Sequence, residues 1–480
     1  MTEHFDLLVV GAGLSGIGVA AQLGRPDSTY VILESRESLG GTWDLFRYPG
    51  FRADSDMYTL AYRARPWTGG RRSIVDGPSI LRYLQETAAE LGIDRHIRFG
   101  HRVVRAAWSS ERGLWTVHAR HTATGETVVL TAAVLVACGG YFRYDTGHRP
   151  EFAGAERFTG RIVHPQEWPE DLDHAGKRVV IVGSGSTAVT LGPALAATAK
   201  HVTVLQRSPA YVISLPDEDP IAGFLHRALP DFAAGRVVRL KNIALPTVLH
   251  RFGRRFPSML QRVIRRGQQR ALPAGFDIDT HFTPRYRPFE QRFNIAAGGD
   301  FFRAIREDGL AMETDDIRSF DETGIVLASG RHLDADIVVT ATGLELLPLG
   351  GMRLEVDGSP VDLTESVTYR GMLLSGVPNF AFVFGYTGLS WTLWVDMASA
   401  YLNRILAHMR RRGLSYFVPR RDGGGQTTPF FDYTSGYILR GGPAFPRRGG
   451  TTPWRRGTGY FHDRVLLRCS RIASKELHFR

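Results

Sequence analysis

Two parts of the chain repeat one pattern of apolar and polar positions. In the first, the apolar run FDLLVV leads into the glycine turn GAGLSG, an alanine-rich helical stretch and a second apolar run, YVILE. In the second, RVVIVG leads into GSGSTA, a helical stretch and HVTVLQ. Short continuous apolar runs between turns are typical of parallel strands buried on both faces. The pattern predicts an α/β fold with two Rossmann-like dinucleotide-binding domains.

The rest of the chain fits around these two units. The arginine-rich stretch from Pro216 to about Pro273 has apolar residues at helical spacings and predicts a helical insertion. The apolar run ADIVVTATG at 335–343 predicts a strand that returns to the first sheet, and the Gly-, Pro- and Arg-rich tail after Pro419 predicts irregular surface. The expected boundaries are 1–140 and 335–480 for the first domain, 141–215 and 291–334 for the second, and 216–290 for the insertion.

The first glycine turn has the chemistry of a dinucleotide site. Glycine at Gly11, Gly13 and Gly16 lets the turn tighten, the backbone approach a diphosphate and the helix pack on its strand, and the helix N-terminus attracts the phosphates. Glu34 ends the second strand and can accept hydrogen bonds from a ribose 2′-hydroxyl, but it would repel a 2′-phosphate. The first site is therefore predicted to hold FAD or NAD.

The second turn has the opposite preference. Its predicted cofactor-binding residues are Gly183, Gly185, Ser186, Thr187, Arg207 and Ser208. Arg207 stands where the first unit has an acid, and a charge-assisted hydrogen bond of about 1.5–3 kcal/mol to a 2′-phosphate gives roughly tenfold or greater preference for NADPH. The two units together predict a flavin that is reduced by NADPH.

Composition narrows the class of protein. The 480 residues are 43% hydrophobic and 22% charged, which is typical of globular domains. The two cysteines, Cys138 and Cys469, exclude a disulfide framework, a CxxC redox centre and a cysteine-based metal site, so we expect no metal. The N-terminus lacks the features of a signal peptide and no apolar run is long enough to span a bilayer, so we expect a cytoplasmic protein.

The net charge of +11 comes mostly from arginine in the second half of the chain. Nucleic-acid binding is not expected, because no recognisable nucleic-acid-binding module is present. Basic and apolar residues are mixed around Arg251 to Arg270, however, so peripheral contact of these basic helices with a membrane surface is a secondary hypothesis. A nonenzymatic peripheral protein that lies on an anionic membrane is the alternative from a different class.

One segment between the two units carries a family fingerprint. FTGRIVHPQEWP, residues 158–169, resembles the F-x-G-x-x-x-H-x-x-x-W-P motif of class B flavoprotein monooxygenases of the Baeyer–Villiger type. The segments GGTW, RYPGFRAD, ATG and PFFDYTSGYILR are similar to that family too. The resemblance covers nearly the whole chain and is strongest to the ethionamide-activating branch.

The resemblance implies a mechanism. NADPH would reduce FAD, O₂ would add at flavin C4a, and the C4a-peroxyflavin would insert one oxygen next to a ketone carbonyl, giving an ester or lactone. Arg292 would keep the peroxide ionised and Asp54 would orient Arg292, while Thr42, Trp43 and Asp54 would contact FAD. His164 would couple domain motions rather than transfer a proton.

Two points limit these assignments. Arg285 and Arg287 lie close to Arg292 in sequence, and the family usually has Lys-Arg where this chain has Gln291-Arg292, so NADPH preference would depend more heavily on Arg207. The same cofactors also support an alternative reaction, S- or N-oxygenation of thioethers, thiocarbonyls or amines. The partners are therefore O₂ and a small organic ketone or sulfide, and the oligomeric state is left open.

Overall fold

The computed structural model describes residues 2–24, 27–69, 71–455, 457 and 459–480. Within these residues the α-helices are α1 (Leu14–Leu23), α2 (Thr42–Leu45), α3 (Met57–Leu60), α4 (Gly77–Glu90), α5 (Ser186–Ala196), α6 (Pro220–Ala228), α7 (Asp231–Arg255), α8 (Pro257–Ala271), α9 (Ile278–Phe282), α10 (Asp300–Arg306), α11 (Trp391–Arg412), α12 (Gly436–Gly441) and α13 (Tyr460–Cys469).

The first apolar run forms the centre of the larger sheet. Leu7 pairs in parallel with Tyr30, and Leu8 pairs in parallel with Leu135. Leu7 and Leu8 are buried on opposite faces of the sheet, so one hydrophobic core lies on each side. In spatial order the strands are Ser359–Pro360, Arg353–Val356, His101–Ser109, Leu114–His121, Thr127–Ala137, Glu3–Val10, Tyr30–Leu33 and Ile97–Arg98, with Phe380–Phe382 also paired to Thr127–Ala137.

The second unit forms a smaller sheet whose strands are all parallel. Their spatial order is Leu310–Thr314, His201–Gln206, Arg178–Val182, Ile337–Thr340 and Arg161–Val163. Alternate residues of the central strand, such as Val180 and Ile181, enter the cores on opposite faces. The predicted α/β fold with two Rossmann-like domains and a helical insertion is confirmed.

One predicted connection is wrong. The strand expected to return to the first sheet, Ile337–Thr340, lies in the second sheet between Arg178–Val182 and Arg161–Val163. A continuously apolar strand can pair with either sheet, and its sequence does not say which neighbour it joins. The predicted boundary at residue 335 therefore falls before a strand of the second unit, and the other boundaries stay predictions.

The helical insertion leaves and rejoins the second unit at one place. It follows the strand Val212–Leu215 and ends before Asn294–Ala297, and these two strands pair in parallel. A separate antiparallel pair, Phe142–Gly147 with Leu344–Leu346, lies where the chain passes between the two sheets. None of the helices in the described ranges is both long and apolar enough to cross a membrane.

The tail contributes to the core. Phe430, Phe431, Phe445 and Trp454 are buried, so the prediction of irregular surface after Pro419 is wrong. The aromatic side chains supply apolar area even where the backbone is irregular. The remaining small sheets are Ile317–Phe320 with Gly324–Leu327 and His332–Asp334, Leu373–Leu374 with Val367–Tyr369, Arg447–Gly449 and Thr427–Thr428, and Phe417–Pro419 with Leu477–Phe479.

Candidate active site

The first glycine turn forms a cradle that a side chain would fill. Gly11 has φ +100°, and a Cβ there would lie 2.8 Å from the carbonyl oxygen of Cys138. A Cβ at Gly16 would lie 1.8 Å from the carbonyl oxygen of Gly11. Gly13 is the N-cap of α1 and has no side-chain capping bond, so the first amides of this helix are available to an anionic group. The cradle fits a diphosphate.

Glu34 lies at the edge of this cradle. Its side chain is buried, the backbone N–H of Ala12 donates to Oε2 at 2.7 Å, and the backbone N–H of Arg36 donates to Oε1 at 2.9 Å. Two backbone donors fix the carboxylate beside the turn and leave lone pairs that can accept hydrogen bonds from a ribose. The structure thus places Glu34 where the sequence predicts a ribose acceptor.

Thr42 and Trp43 lie beside the same turn. The backbone N–H of Gly40 donates to the carbonyl oxygen of Ala12 at 3.0 Å and brings the segment against the cradle. The hydroxyl groups of Thr42 and Tyr144 are 3.3 Å apart, and the ring of Trp43 stacks on Phe51 with centroids 5.1 Å apart. Both predicted residues therefore border the first dinucleotide site.

The second glycine turn packs against its own sheet. Gly183 has φ +141°, and a Cβ there would lie 2.3 Å from the carbonyl oxygen of Ala341, whereas a Cβ at Gly185 would meet open space. The hydroxyl of Ser186 donates to Oδ1 of Asn294 at 3.0 Å. Asn294 in turn donates to the carbonyl oxygen of Ser184 at 2.9 Å.

Sequence reasoning did not identify Asn294, because it lies more than a hundred residues from the turn that it holds. The hydroxyl group of Thr187, the last predicted residue of the turn, lies beside the phenol of Tyr48. The Tyr48 pKa is raised, mainly by burial, so the phenol stays protonated. The two side chains connect the second turn to the segment that follows Trp43.

Arg207 does not occupy the position of Glu34. The backbone N–H of Gly11 donates to the carbonyl oxygen of Leu33, and that of Gly183 donates to the carbonyl oxygen of Leu205, both at 2.8 Å. Leu205 is therefore equivalent to Leu33, and the next residue, Gln206, is equivalent to Glu34. Gln206 is buried and donates to Thr314 and to the carbonyl oxygen of His281.

The prediction that Arg207 replaces Glu34 is therefore wrong by one position. The matching backbone hydrogen bonds of the two glycine turns align Glu34 with Gln206 instead. Arg207 and Ser208 follow Gln206 at the exposed carboxyl end of the strand. Arg207 makes no ion pair with any described carboxylate, so it remains available to a phosphate. Its role in binding NADPH stays a prediction.

Arg292 and Asp54 form an ion pair. Nη2 of Arg292 lies 2.6 Å from Oδ2 of Asp54, and each side chain is about one-third exposed, at 34% and 33%. The Asp54 carboxylate raises the pKa of Arg292, so the guanidinium stays charged. Arg285 and Arg287 are exposed, and their guanidinium groups form no ion pair with a described carboxylate. Of the three arginines considered from the sequence, Arg292 is the one held by Asp54.

Three tyrosines interact electrostatically with this pair. Tyr141, Tyr433 and Tyr437 lie close enough to interact electrostatically with Arg292, and burial raises the pKa of all three, so they stay protonated. Tyr433 and Tyr437 come from the tail segment PFFDYTSGYILR, whose sequence resembles the family but indicates no role for single residues. The spacing of the tyrosines along the sequence does not indicate that the tail comes close to Arg292.

A chain of contacts connects Tyr141 to the first glycine turn. The ring of Tyr141 stacks on Trp391 with centroids 5.3 Å apart. The indole N–H of Trp391 donates to Oγ of Ser15 on α1 at 2.7 Å. Trp391 is also the first residue of α11, whose N-cap, Ser390, makes no side-chain capping bond. Direct contacts therefore join the first cradle to Tyr141, which in turn interacts electrostatically with Arg292.

His164 of the fingerprint has a structural environment. It is buried, its Nδ1 accepts from the backbone N–H of Gln166 at 3.2 Å, and its Nε2 lies 3.3 Å from the carbonyl oxygen of Gly343. Burial lowers the pKa of His164, so the ring is neutral. It ties the linker to the end of strand Ile337–Thr340, which fits the predicted coupling role without testing it.

A cleft of about 590 Å³ opens beside Trp43. It lies between the segment that follows Trp43 and the second unit, and Arg52 and Asp300 join across it through two hydrogen bonds of 2.5 and 3.1 Å. This volume is within the usual range for a small-molecule site.

Comparison with known proteins gives the family. The model for flavin-binding monooxygenase-like proteins matches residues 6–221. FAD-containing monooxygenase EthA of Mycobacterium tuberculosis is 48% identical over 483 residues, covering 100% of this chain and 98% of the relative, and EthA of Mycolicibacterium smegmatis has the same identity and coverage.

Among solved structures, an oxidized steroid monooxygenase bound to NADP superimposes with a TM-score of 0.79 at 22% identity, covering 99% of both chains. At that identity the likeness shows the fold. The cofactors of these proteins agree with the predicted FAD and NADP sites. The sequence relatives and the two glycine cradles together show that this chain belongs to the flavin-binding monooxygenase-like family.

Proposed function

We propose that the protein is an NADPH- and O₂-dependent flavin monooxygenase that inserts one oxygen atom next to a ketone carbonyl to give an ester or lactone. The observation that carries this proposal is the Arg292–Asp54 ion pair, which interacts electrostatically with Tyr141, whose ring is joined through Trp391 and Ser15 to the first glycine cradle. Bound FAD, reduced by NADPH, supplies the activation of O₂.

The first unit holds FAD. The amides at the start of α1 bind its diphosphate, Glu34 accepts hydrogen bonds from its ribose, and Thr42 and Trp43 border it. In the second unit, the turn from Gly183 to Thr187 binds the NADPH diphosphate. Arg207 and Ser208 bind the 2′-phosphate at the exposed strand end.

Arg292 stabilises the negative charge that develops on activated oxygen in this site. A unit charge about 4 Å from the guanidinium, at an effective dielectric constant near 20, gains about 4 kcal/mol. Asp54 holds the guanidinium at 2.6 Å and fixes its orientation, since one carboxylate oxygen is committed to Nη2. A guanidinium carries five N–H donors, so Arg292 has donors beyond those that face Asp54.

Oxygen transfer to sulfur or nitrogen is the alternative reaction. Tyr433 and Tyr437 favour it, because burial keeps both phenols protonated and their O–H groups can donate hydrogen bonds to an oxygen in the same site. The two reactions place opposite demands on this cluster: ester formation needs the anionic form stabilised by Arg292, whereas sulfoxidation tolerates protonation.

A matched pair of substrates separates the two reactions. An aliphatic methyl ketone and the thioether of the same length are supplied with NADPH and ¹⁸O₂, and products are identified by mass. We expect ¹⁸O-labelled ester from the ketone. Labelled sulfoxide with no ester, across a series of ketone lengths, would reject the proposal and leave the alternative.

A further inference from the structure

The insertion helices hold almost all of the net positive charge of the chain. Residues 220–271 contain eleven Lys and Arg and one acid, Asp231, so this segment has a net charge of +10 out of +11 for the whole chain. The remaining residues are close to neutral. The basic character is therefore a local property of α6, α7 and α8.

The same helices expose most of the large apolar side chains that face solvent. Of the eighteen such side chains in the described part of the chain, twelve lie between residues 221 and 263. Phe232 is 69% exposed and Phe224 is 62% exposed. The others are Ile221, Leu229, Val237, Leu240, Leu245, Val248, Leu249, Phe256, Met259 and Val263. Monomeric proteins rarely gather exposed apolar residues in this way without an interaction partner.

Apolar and basic side chains share the exposed faces of these helices. On α7 the exposed Val237, Leu240 and Val248 follow helical spacing and lead to the exposed Arg251 and Arg255. On α8, Met259 and Val263 are flanked by basic residues in the same way. Consecutive helices pack against each other, α6 on α7 and α7 on α8, so the faces belong to one surface.

Most of the basic residues on this surface have no acidic partner. Arg239, Lys241 and Arg265 pair with carboxylates. The other eight form no ion pair with a described residue: Arg227, Arg236, Arg251, Arg254, Arg255, Arg262, Arg266 and Arg270. Two arginines instead lie over exposed aromatic rings, Arg236 over Phe232 at 5.2 Å and Arg255 over Phe256 at 5.1 Å.

We propose that the surface of α6, α7 and α8 docks the protein on an anionic phospholipid bilayer. The apolar side chains would enter the interface between headgroups and acyl chains, while the unpaired arginines would contact lipid phosphates. Charge decides between this occupant and a second copy of the chain, because a symmetric interface would oppose two surfaces of +10. A nucleic acid would satisfy the charge but would leave the exposed Phe and Val side chains without an apolar partner.

The docking surface lies on the outer side of a helix whose inner side reaches the candidate active site. Asn242 on α7 donates to Oδ1 of Asp56 at 2.9 Å, and Arg239 donates to the carbonyl oxygen of Tyr58 at 2.8 Å. Asp56 is two residues from Asp54, the partner of Arg292. A protein docked in this way would hold its site close to lipophilic substrates dissolved in the bilayer.

Vesicle flotation of the full-length, FAD-loaded protein tests the proposal. We expect binding to vesicles of phosphatidylglycerol and phosphatidylcholine, weak binding to phosphatidylcholine alone, and loss of binding at high salt. The triple variant Arg251→Gln/Arg262→Gln/Arg266→Gln should bind on the order of a hundredfold more weakly, since each basic side chain near an anionic surface contributes about a factor of five. The double variant Phe232→Ser/Val248→Ser should also bind more weakly, at unchanged charge.

A matched control changes the same charge elsewhere. Arg82, Arg112 and Arg318 are exposed, unpaired with any described carboxylate and outside the insertion, so Arg82→Gln/Arg112→Gln/Arg318→Gln should bind like the unchanged protein. Flavin content and the melting temperature show whether each variant is folded. If the first triple variant is unfolded, Arg227→Gln/Arg236→Gln/Arg270→Gln replaces it.

Four results would overturn the proposal. The first is absence of vesicle binding, and the second is an equal loss of vesicle binding in the control triple variant. The third is unchanged vesicle binding by the Phe232→Ser/Val248→Ser variant, together with equally tight binding of the protein to short duplex DNA. The fourth is self-association in sedimentation velocity that this double variant abolishes. The third result would indicate a polyanion site and the fourth an interface between copies of the chain.

Discussion

Replacing Arg292 with alanine removes the positive charge that the proposed reaction requires. The full interaction with a nearby anion is about 4 kcal/mol at an effective dielectric constant near 20. The Arg292 side chain is 34% exposed and Asp54 already balances part of its charge, so solvent screening reduces this to about 2–3 kcal/mol. Ester formation should therefore fall between about thirtyfold and about 150-fold.

The assay follows three quantities in one reaction: NADPH consumed, ester formed and hydrogen peroxide released. The Arg292→Ala protein should keep its flavin and still oxidise NADPH, because the glycine cradles are unchanged. The electrons taken from NADPH should then reduce O₂ to hydrogen peroxide, with little ester formed. Arg292→Lys keeps a charge but not the planar geometry that meets Asp54, so it should retain partial coupling.

Arg287→Ala is the matched control. Arg287 lies five residues away and is exposed, and its guanidinium forms no ion pair with a described carboxylate, so its loss should leave the ester yield unchanged. An Arg292→Ala protein that forms ester as efficiently as the Arg287→Ala protein would refute the role assigned to the ion pair.

Three further substitutions test the cradles and the linker. Arg207→Ala should raise the KM for NADPH about tenfold and leave that for NADH nearly unchanged, and equal losses would contradict the assigned phosphate contact. Gly11→Ala should cost about 1–3 kcal/mol or more and reduce flavin content, because its Cβ would meet the Cys138 carbonyl, whereas Gly176→Ala, which has positive φ but open space, should only lower the melting temperature slightly. Burial lowers the pKa of His164 below its usual 6.5, so the unfolded chain takes up the proton first and folding stability decreases as pH falls. Between about pH 7.5 and 5.5, the melting temperature of the His164→Gln variant should therefore decrease less than that of the unchanged protein. An identical decrease in both proteins would show that His164 does not take up a proton on unfolding.

The features that sequence identified are those with local physical causes. Gly11 and Gly183 need conformations or approaches that a Cβ prevents, and Glu34 follows its strand directly, so spacing along the chain was sufficient. The pairing of Arg292 with Asp54 came from a family resemblance, since 238 residues separate them, and the structure places them in contact.

What sequence missed depends on distant packing. The strand Ile337–Thr340 could have joined either sheet, and only its neighbours decide between them. Tyr433 and Tyr437 reach Arg292 through a tail whose composition suggested irregular surface. The shift from Arg207 to Gln206 as the equivalent of Glu34 became visible only through the matching backbone bonds of the two glycine turns.

The most direct test follows the visible spectrum of the purified protein together with its products. We expect a bound yellow flavin that NADPH bleaches without oxygen, that air restores, and that forms close to one ester per NADPH when a ketone is present. A colourless protein that takes up no FAD, or a flavin that recovers its colour in air and yields peroxide without ester from the ketone, would contradict the account.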